Sequence, residues 1–254
     1  MPSVELILSE GISALLSKLS VYAAKPLCVF FDEVDCLSEG TLVSFLRQLR
    51  QGRISCVEQN AFPSSVALIG MRDIRDYKAR IRPDSETLGS ASPFNVITEA
   101  MTLRSFTDEE VAALYAQHTA ETGQVFEPEA VRHACVSSGG QPYLVNALAR
   151  WCVEKIHKED FSQPITFADM DEAKEKLIRE RVTTLNSIQK RLRVDWMKRA
   201  LSLIGRPISA NAEDQNAVGL AFSHGVVVEK DGVLAFSCPI VRELVARHGY
   251  TAVA

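Results

Sequence analysis

Two adjacent carboxylates, Asp32 and Glu33, end the apolar run LCVFF (residues 27–31), and this pairing suits phosphoryl chemistry on a bound cation. Five apolar residues followed by Asp-Glu read as a strand buried on both faces that delivers the two carboxylates to its C-terminal edge. Asp32 is placed to hold Mg²⁺, and Glu33 to polarise an attacking water. Such chemistry also needs a grip on the phosphates, G-x-x-x-x-G-K-[ST], whose backbone N–H groups and lysine surround them. Upstream of the strand, residues 1–26 contain a single glycine, Gly11, and no such loop.

The other reactive residue types offer less. Cys28, Cys36, Cys56, Cys135, Cys152 and Cys238 form no C-x-x-C pair, and several fall on apolar faces. They read as reduced, buried thiols of a cytoplasmic protein, not as a zinc site or disulfide framework. The five histidines lack metal-ligand spacing, and no nucleophile-elbow motif supports Ser-His-Asp chemistry. Arg47, Arg50 and Arg53 repeat on one helix face, which reads as a solvated face before it reads as a binding patch.

The elements that must position the carboxylates follow from periodicity. Residues 3–19 have amphipathic spacing and predict a helix. After the Asp-Glu strand, residues 39–52 predict a helix with Leu42, Phe45, Leu46 and Leu49 on its buried face. SVALIG (65–70) is a second buried strand leading into Met71-Arg72-Asp73, residues 81–92 form a loop, and residues 97–103 are a third strand. Thr107 and Glu110 form a capping box, and Pro128 and Pro142 open two further helices separated by Gly139-Gly140. Thr166 with Asp169 starts one long charged helix that runs to about residue 192. The tail reads as helix (195–204), helix (212–224), a hairpin about Asp231-Gly232 and a last helix (239–248), the order of a winged helix. Trp151 and Trp196 fall on apolar helical faces and read as core.

With 254 residues, nearly half of them apolar, the chain can bury an ordinary core. A net charge of −4 gives no bulk drive toward nucleic acid, and no apolar run is long enough to cross a bilayer. The helix at 212–224 carries Glu213 and Asp214 and no Lys or Arg, so the winged helix reads as a protein-docking or lid-supporting module before a DNA reader.

Seven segments, in order, carry a family resemblance: VFFDEVDCL (29–37), LRQLRQG (46–52), GMRDIRDY (70–77), SPFNV (92–96), GGQPYLVNALA (139–149), ERVTTLNSI (180–188) and CPIVRELVAR (238–247). On these, the chain resembles bacterial AAA-type ATP-binding proteins close to the STAND and archaeal-ATPase branches of the P-loop NTPases. The resemblance implies an incomplete P-loop NTPase α/β core with a parallel sheet (1–106), a helical lid (107–193) and a C-terminal winged helix (194–254). It makes Asp32-Glu33 a Walker B pair, with Asp32 the Mg²⁺ ligand and Glu33 the catalytic residue. Arg72 and Asp73 become candidate γ-phosphate sensors, and Gly140, Gln141 and Pro142 become the lid's contact with ATP. A helix N-terminus there is a natural neighbour for phosphate.

Two departures modify what the resemblance implies. Family members begin with a Walker A strand that lies in the sheet between the sensor strand and the strand at 97–103. In this chain the gap is expected to close by rearrangement or by pairing with a partner, because an open strand edge invites association. The segment Cys238-Pro239-Ile240 also stands where Asn-Pro-Ile is expected. The reading is thus an ATPase-related protein with little or no hydrolysis alone and a protein partner or self-association. The alternatives are a non-enzymatic interaction module and a winged-helix DNA-binding regulator.

Overall fold

A computed structural model describes residues 4–57, 61–71, 98–180, 182–208 and 211–250. The chain divides into two compact units, Met1–Thr102 and Leu103–Ala254.

In the first unit, α1 (Val4–Tyr22) is broken at Gly11, where φ is +76°. The break frees the amide of Ile12, which donates to Oε1 of Gln48 at 2.7 Å, so a distant side chain caps the second half of α1. The strand β1 (Cys28–Phe31) and a 3₁₀ turn (Val34–Cys36) lead into α2 (Glu39–Val57), which runs one turn past the expected end. The strand β2 (Ser65–Leu68) pairs parallel with β1, with Phe30 opposite Ala67. Leu42, Phe45, Leu46 and Leu49 of α2 are buried with Leu16, Val34 and Phe62, and Val29, Phe31, Val66 and Leu68 pack on this cluster from the sheet. Phe31 meets Phe45 edge-on at 5.0 Å. Gly52 is required here, since a Cβ would lie 2.0 Å from the Phe62 ring.

Two expectations for this unit are corrected. The strand is not buried on both faces, because Phe30 is 70% exposed. Side chains alternate along a strand, so only the Val29–Phe31 face meets the core. No strand forms over residues 98–103, and the sheet has two strands among the described residues. The expected closure by rearrangement is therefore absent from those residues.

Among its described residues the second unit is helical apart from one hairpin and two isolated β-bridges. The helix α3 (Asp108–Thr122) opens on a complete capping box: the Glu110 amide donates to Thr107 Oγ1, and the Thr107 amide donates to Glu110 Oε2. Pro128 starts α4 (Pro128–Ser138), and Pro142 starts α5 (Pro142–Arg150), which continues as a π-helical turn (Trp151–Ile156). The expected single long helix is two, α6 (Phe167–Glu180) and α7 (Thr183–Arg191). Then come α8 (Asp195–Ser202), α9 (Ala212–Ser223), the antiparallel strands β3 (Val227–Lys230) and β4 (Val233–Phe236), and α10 (Pro239–Arg247). Asp231 and Gly232 both take positive φ, as a two-residue hairpin with right-handed twist requires. One continuous core, from Val111 to Val245, runs through this unit. Trp151 and Trp196 lie half-buried at its margin.

Candidate functional site

Backbone hydrogen bonds fix the carboxylate end of the sheet. The Ile69 amide donates to the Phe31 carbonyl at 2.8 Å, and the Val34 amide donates to the Ile69 carbonyl at 3.1 Å. Between these ties the chain turns sharply, with Glu33 in the left-handed region at φ +55°. The turn is held by Asp32, whose Oδ1 accepts the Glu33 amide at 2.8 Å. Both carboxylates are exposed to water at the C-terminal edge of a parallel pair, where open α/β sheets bind ligands.

Another carboxylate, Asp35, which the sequence reading did not single out, lies against Gly70 at the end of the second strand. A Cβ on Gly70 would lie 2.7 Å from Asp35 Oδ1, so Gly70 lets the end of the second strand pass beside that side chain. The signal available was the D-E-x-D spacing, which a 3₁₀ turn converts into proximity. Arg72 and Asp73, the expected phosphate sensors, lie outside the described residues. On α2, Arg47 and Arg53 are exposed and Arg50 is half-buried.

The second expected contact, Gly140-Gln141-Pro142, belongs to the other unit, and its polar groups are committed internally. The Gly140 carbonyl accepts the Phe106 amide at 2.8 Å, and the Gly140 amide donates to Ser138 Oγ at 3.2 Å. The Gln141 amide donates to the Ser138 carbonyl, and Gln141 Oε1 caps α5 by accepting the Leu144 amide at 2.6 Å. Both glycines take positive φ. A Cβ on Gly139 would lie 2.7 Å from the Ser237 carbonyl oxygen, and one on Gly140 would lie 2.2 Å from that of Phe106. This corner is a packing junction in which the Gly140, Gln141 and Leu144 amides already have acceptors.

Electrostatics elsewhere in the second unit is structural. Arg104 clasps Glu110 with two bonds of 2.7 Å. That guanidinium, together with the Thr107 amide, holds the Glu110 carboxyl down at about 2. Burial pushes the Cys135 thiol up to about 11 and the Cys152 thiol up to about 12, so neither is a nucleophile. Cys28 and Cys36, by contrast, are exposed, which corrects the expectation of buried thiols for those two. On α9, Asp214 accepts Arg199 Nε at 2.6 Å, and Glu213 lies 3.1 Å from the same guanidinium. The acidic first turn of α9 is thus paired with Arg199 of α8.

Among the described residues no cluster of three His, Cys, Asp or Glu side chains could hold a metal by itself, and no helix is long and apolar enough to cross a membrane. No protein-family model and no curated protein sequence matches the chain. Among solved structures, the Walker-type ATPase PABY2304 of Pyrococcus abyssi is 16% identical, with a TM-score of 0.56 over 96% of this chain and 68% of that one. The RuvB Holliday junction branch migration motor of Thermotoga maritima is 13% identical over 97% of this chain and 77% of its own, with a TM-score of 0.49. The likeness to the Pyrococcus protein is one of fold: this chain shares the fold of that Walker-type ATPase.

Proposed function

We propose that this chain derives from AAA/STAND-type ATPases in which ATP binding and hydrolysis drive a conformational switch, and that alone it hydrolyses little or no ATP. One observation carries the reading: Asp32 and Glu33 stand exposed at the C-terminal edge of a parallel strand pair, in a chain with the fold of a Walker-type ATPase.

The residues fit one half of the implied Mg-ATP ligand. Mg²⁺ keeps several waters and takes one or two carboxylates together with substrate phosphates. Asp32 suits that role, because Oδ1 is engaged by the Glu33 amide and the second carboxylate oxygen has no protein partner among the described residues. When bound, the cation neutralises phosphate charge. Glu33, lifted by its left-handed turn, would orient a water next to it. The phosphate half is poorly served: the sequence contains no Gly-Lys-Ser/Thr, and the amides at Gly140 and Gln141 already donate elsewhere. Arg72 or Asp73 would sense phosphate. Gly140, Gln141 and Pro142 would reach ATP only if the α5 cap opened.

Committed donors at the lid corner favour the second reading, a non-enzymatic interaction module that retains the scaffold. On it, residues 107–193 serve as a helical platform and residues 194–254 as a winged helix that docks a protein partner or a second copy. The pairing of Glu213 and Asp214 with Arg199 supports protein docking over a DNA-binding regulator, since α9 offers no cation to phosphate.

Calorimetric titration with Mg-ATP, with Asp32→Asn as the control, separates the readings. Micromolar binding that is lost in the variant supports the ATPase-related site. No heat up to millimolar ATP makes Asp32 and Glu33 inherited structure and leaves the interaction module.

A further inference from the structure

We propose that His157 and Asp169 form a pH-sensitive latch on the π-helical turn that ends α5, holding it while the imidazole is protonated and releasing it once the proton leaves. The inference does not depend on nucleotide binding.

The first argument is backbone strain. The helix widens over Trp151–Ile156, and the His157 amide donates to the Cys152 carbonyl at 2.9 Å, one residue further back than an α-helix requires. Lys158 and Glu159 then take φ of +52° and +64°, and the Glu159 amide turns back to the Val153 carbonyl at 2.9 Å. Neither residue is glycine, so two successive left-handed conformations persist only where the surroundings enforce them. A relaxed alternative lies one hydrogen bond away: the His157 amide would move to the Val153 carbonyl, and the turn would become α-helical. The turn thus has two arrangements, and the strained one needs a clamp.

The second argument is the clamp itself. The His157 side chain is only 12% exposed, and its Nε2 lies 3.2 Å from Asp169 Oδ2 of α6. That nitrogen is buried, yet it makes no hydrogen bond among the described residues. A neutral imidazole would hold there either an N–H without an acceptor or a lone pair facing a carboxylate. An imidazolium presents a charged donor, and a small rotation completes the bond. Asp169 cannot follow the ring, since Oδ2 also accepts the amide and hydroxyl of Thr166, both at 2.8 Å, in the cap of α6. The chain beyond the turn is anchored as well, with the buried Gln124 side chain donating to the Asp160 and Gln163 carbonyls. What can move is the segment 157–159. The other charges around His157 are Lys158, Glu159 and Asp160 of its own loop, all exposed, and Glu172 of α6, which stands beside Cys152 of the turn. Imidazoles change charge between about pH 5 and pH 8. Below that range the ion pair is complete and the turn is held; above it the pair is gone and the strain opens the turn.

Amide hydrogen exchange of the full chain at about pH 5.5 and about pH 8, corrected for intrinsic exchange rates, tests the latch. Protection of the His157 and Glu159 amides is expected to fall at least about tenfold at the higher pH. The Ile165 amide, which donates to the Val125 carbonyl in the anchored frame, is expected to keep its protection. His157→Gln fills the same space without a titrating ring, and Asp169→Asn keeps an acceptor for Thr166 without the charge. In each variant the fall is expected to vanish. Equal protection at the two pH values in the unmodified chain overturns the latch. So does a fall that survives in either variant, which assigns the response to another group, and so does a fall shared by Ile165, which makes it a general loosening of the second unit.

Discussion

Replacing Gly140 by alanine tests whether the Gly139-Gly140 corner is held by packing within the second unit. Gly140 sits at φ +71°, and placing an L side chain in that region costs roughly 1–2 kcal/mol. The new Cβ would also lie 2.2 Å from the Phe106 carbonyl oxygen and 3.3 Å from the Phe106 nitrogen. Backbone cannot swing aside as a flexible side chain can. Relief requires residue 106 to move, and that breaks the 2.8 Å bond from the Phe106 amide to the Gly140 carbonyl. Losing it adds about 1 kcal/mol. Together the effects predict a loss of about 2–3 kcal/mol. Gly123→Ala is the matched control: its φ is +80°, and nothing lies within 4 Å of its Cβ position, so it carries the backbone strain alone. The assay is urea unfolding followed by tryptophan fluorescence. The chain has two tryptophans, Trp151 and Trp196, and both lie in the second unit, so the signal reports on that unit. The two variants then differ by the hydrogen bond alone, and with a urea slope of about 1–3 kcal/mol per molar Gly140→Ala should unfold at a midpoint lower than Gly123→Ala by about 0.3–1 M. If the two variants agree within about 0.5 kcal/mol, the crowding argument is wrong, and Gly140 is required for its conformation alone.

Two further predictions use the same chain. Glu110 is held at about 2 against an ordinary 4.5, so the stability it contributes is present above pH 4.5 and is lost as pH falls toward 2. Wild type should therefore exceed Glu110→Gln in thermal midpoint at pH 7, with the gap closing across that window. A gap unchanged down to pH 2 would refute the Arg104–Glu110 assignment. For the thiols, iodoacetamide at neutral pH should alkylate exposed Cys28 and Cys36 in the native protein, read by peptide mass. Cys135 and Cys152, buried and pushed up to about 11 and about 12, should react only after unfolding.

Features encoded within four residues were legible before any coordinates. The Thr107–Glu110 box, the prolines at 128 and 142, and the Asp231-Gly232 hairpin each satisfy local backbone groups, and the structure places them as read. What failed was set by distant partners. The run CVFF looks the same whether one face is covered or two, because coverage depends on what packs against Phe30 and not on Phe30 itself. No glycine or proline lies between Glu180 and Thr183 to announce the break between α6 and α7. Asp35 came to Gly70 through a 3₁₀ turn that no propensity rule singles out.

The candidate site divides along the same line. Asp32 and Glu33 were readable because one local element, a strand end, fixes both. The lid corner was readable as a helix start, but whether its amides are available to a ligand was not. Their availability depends on the Ser138 carbonyl and on the side chains of Ser138 and Gln141, which could as well have faced solvent. A helix N-terminus is an anion site only while its donors are unoccupied. Here the Gly140 and Gln141 amides donate to Ser138, and the Leu144 amide to Gln141. A phosphate arriving at this corner would have to displace hydrogen bonds already made, and the same junction that closes the second unit therefore weakens it as a nucleotide grip.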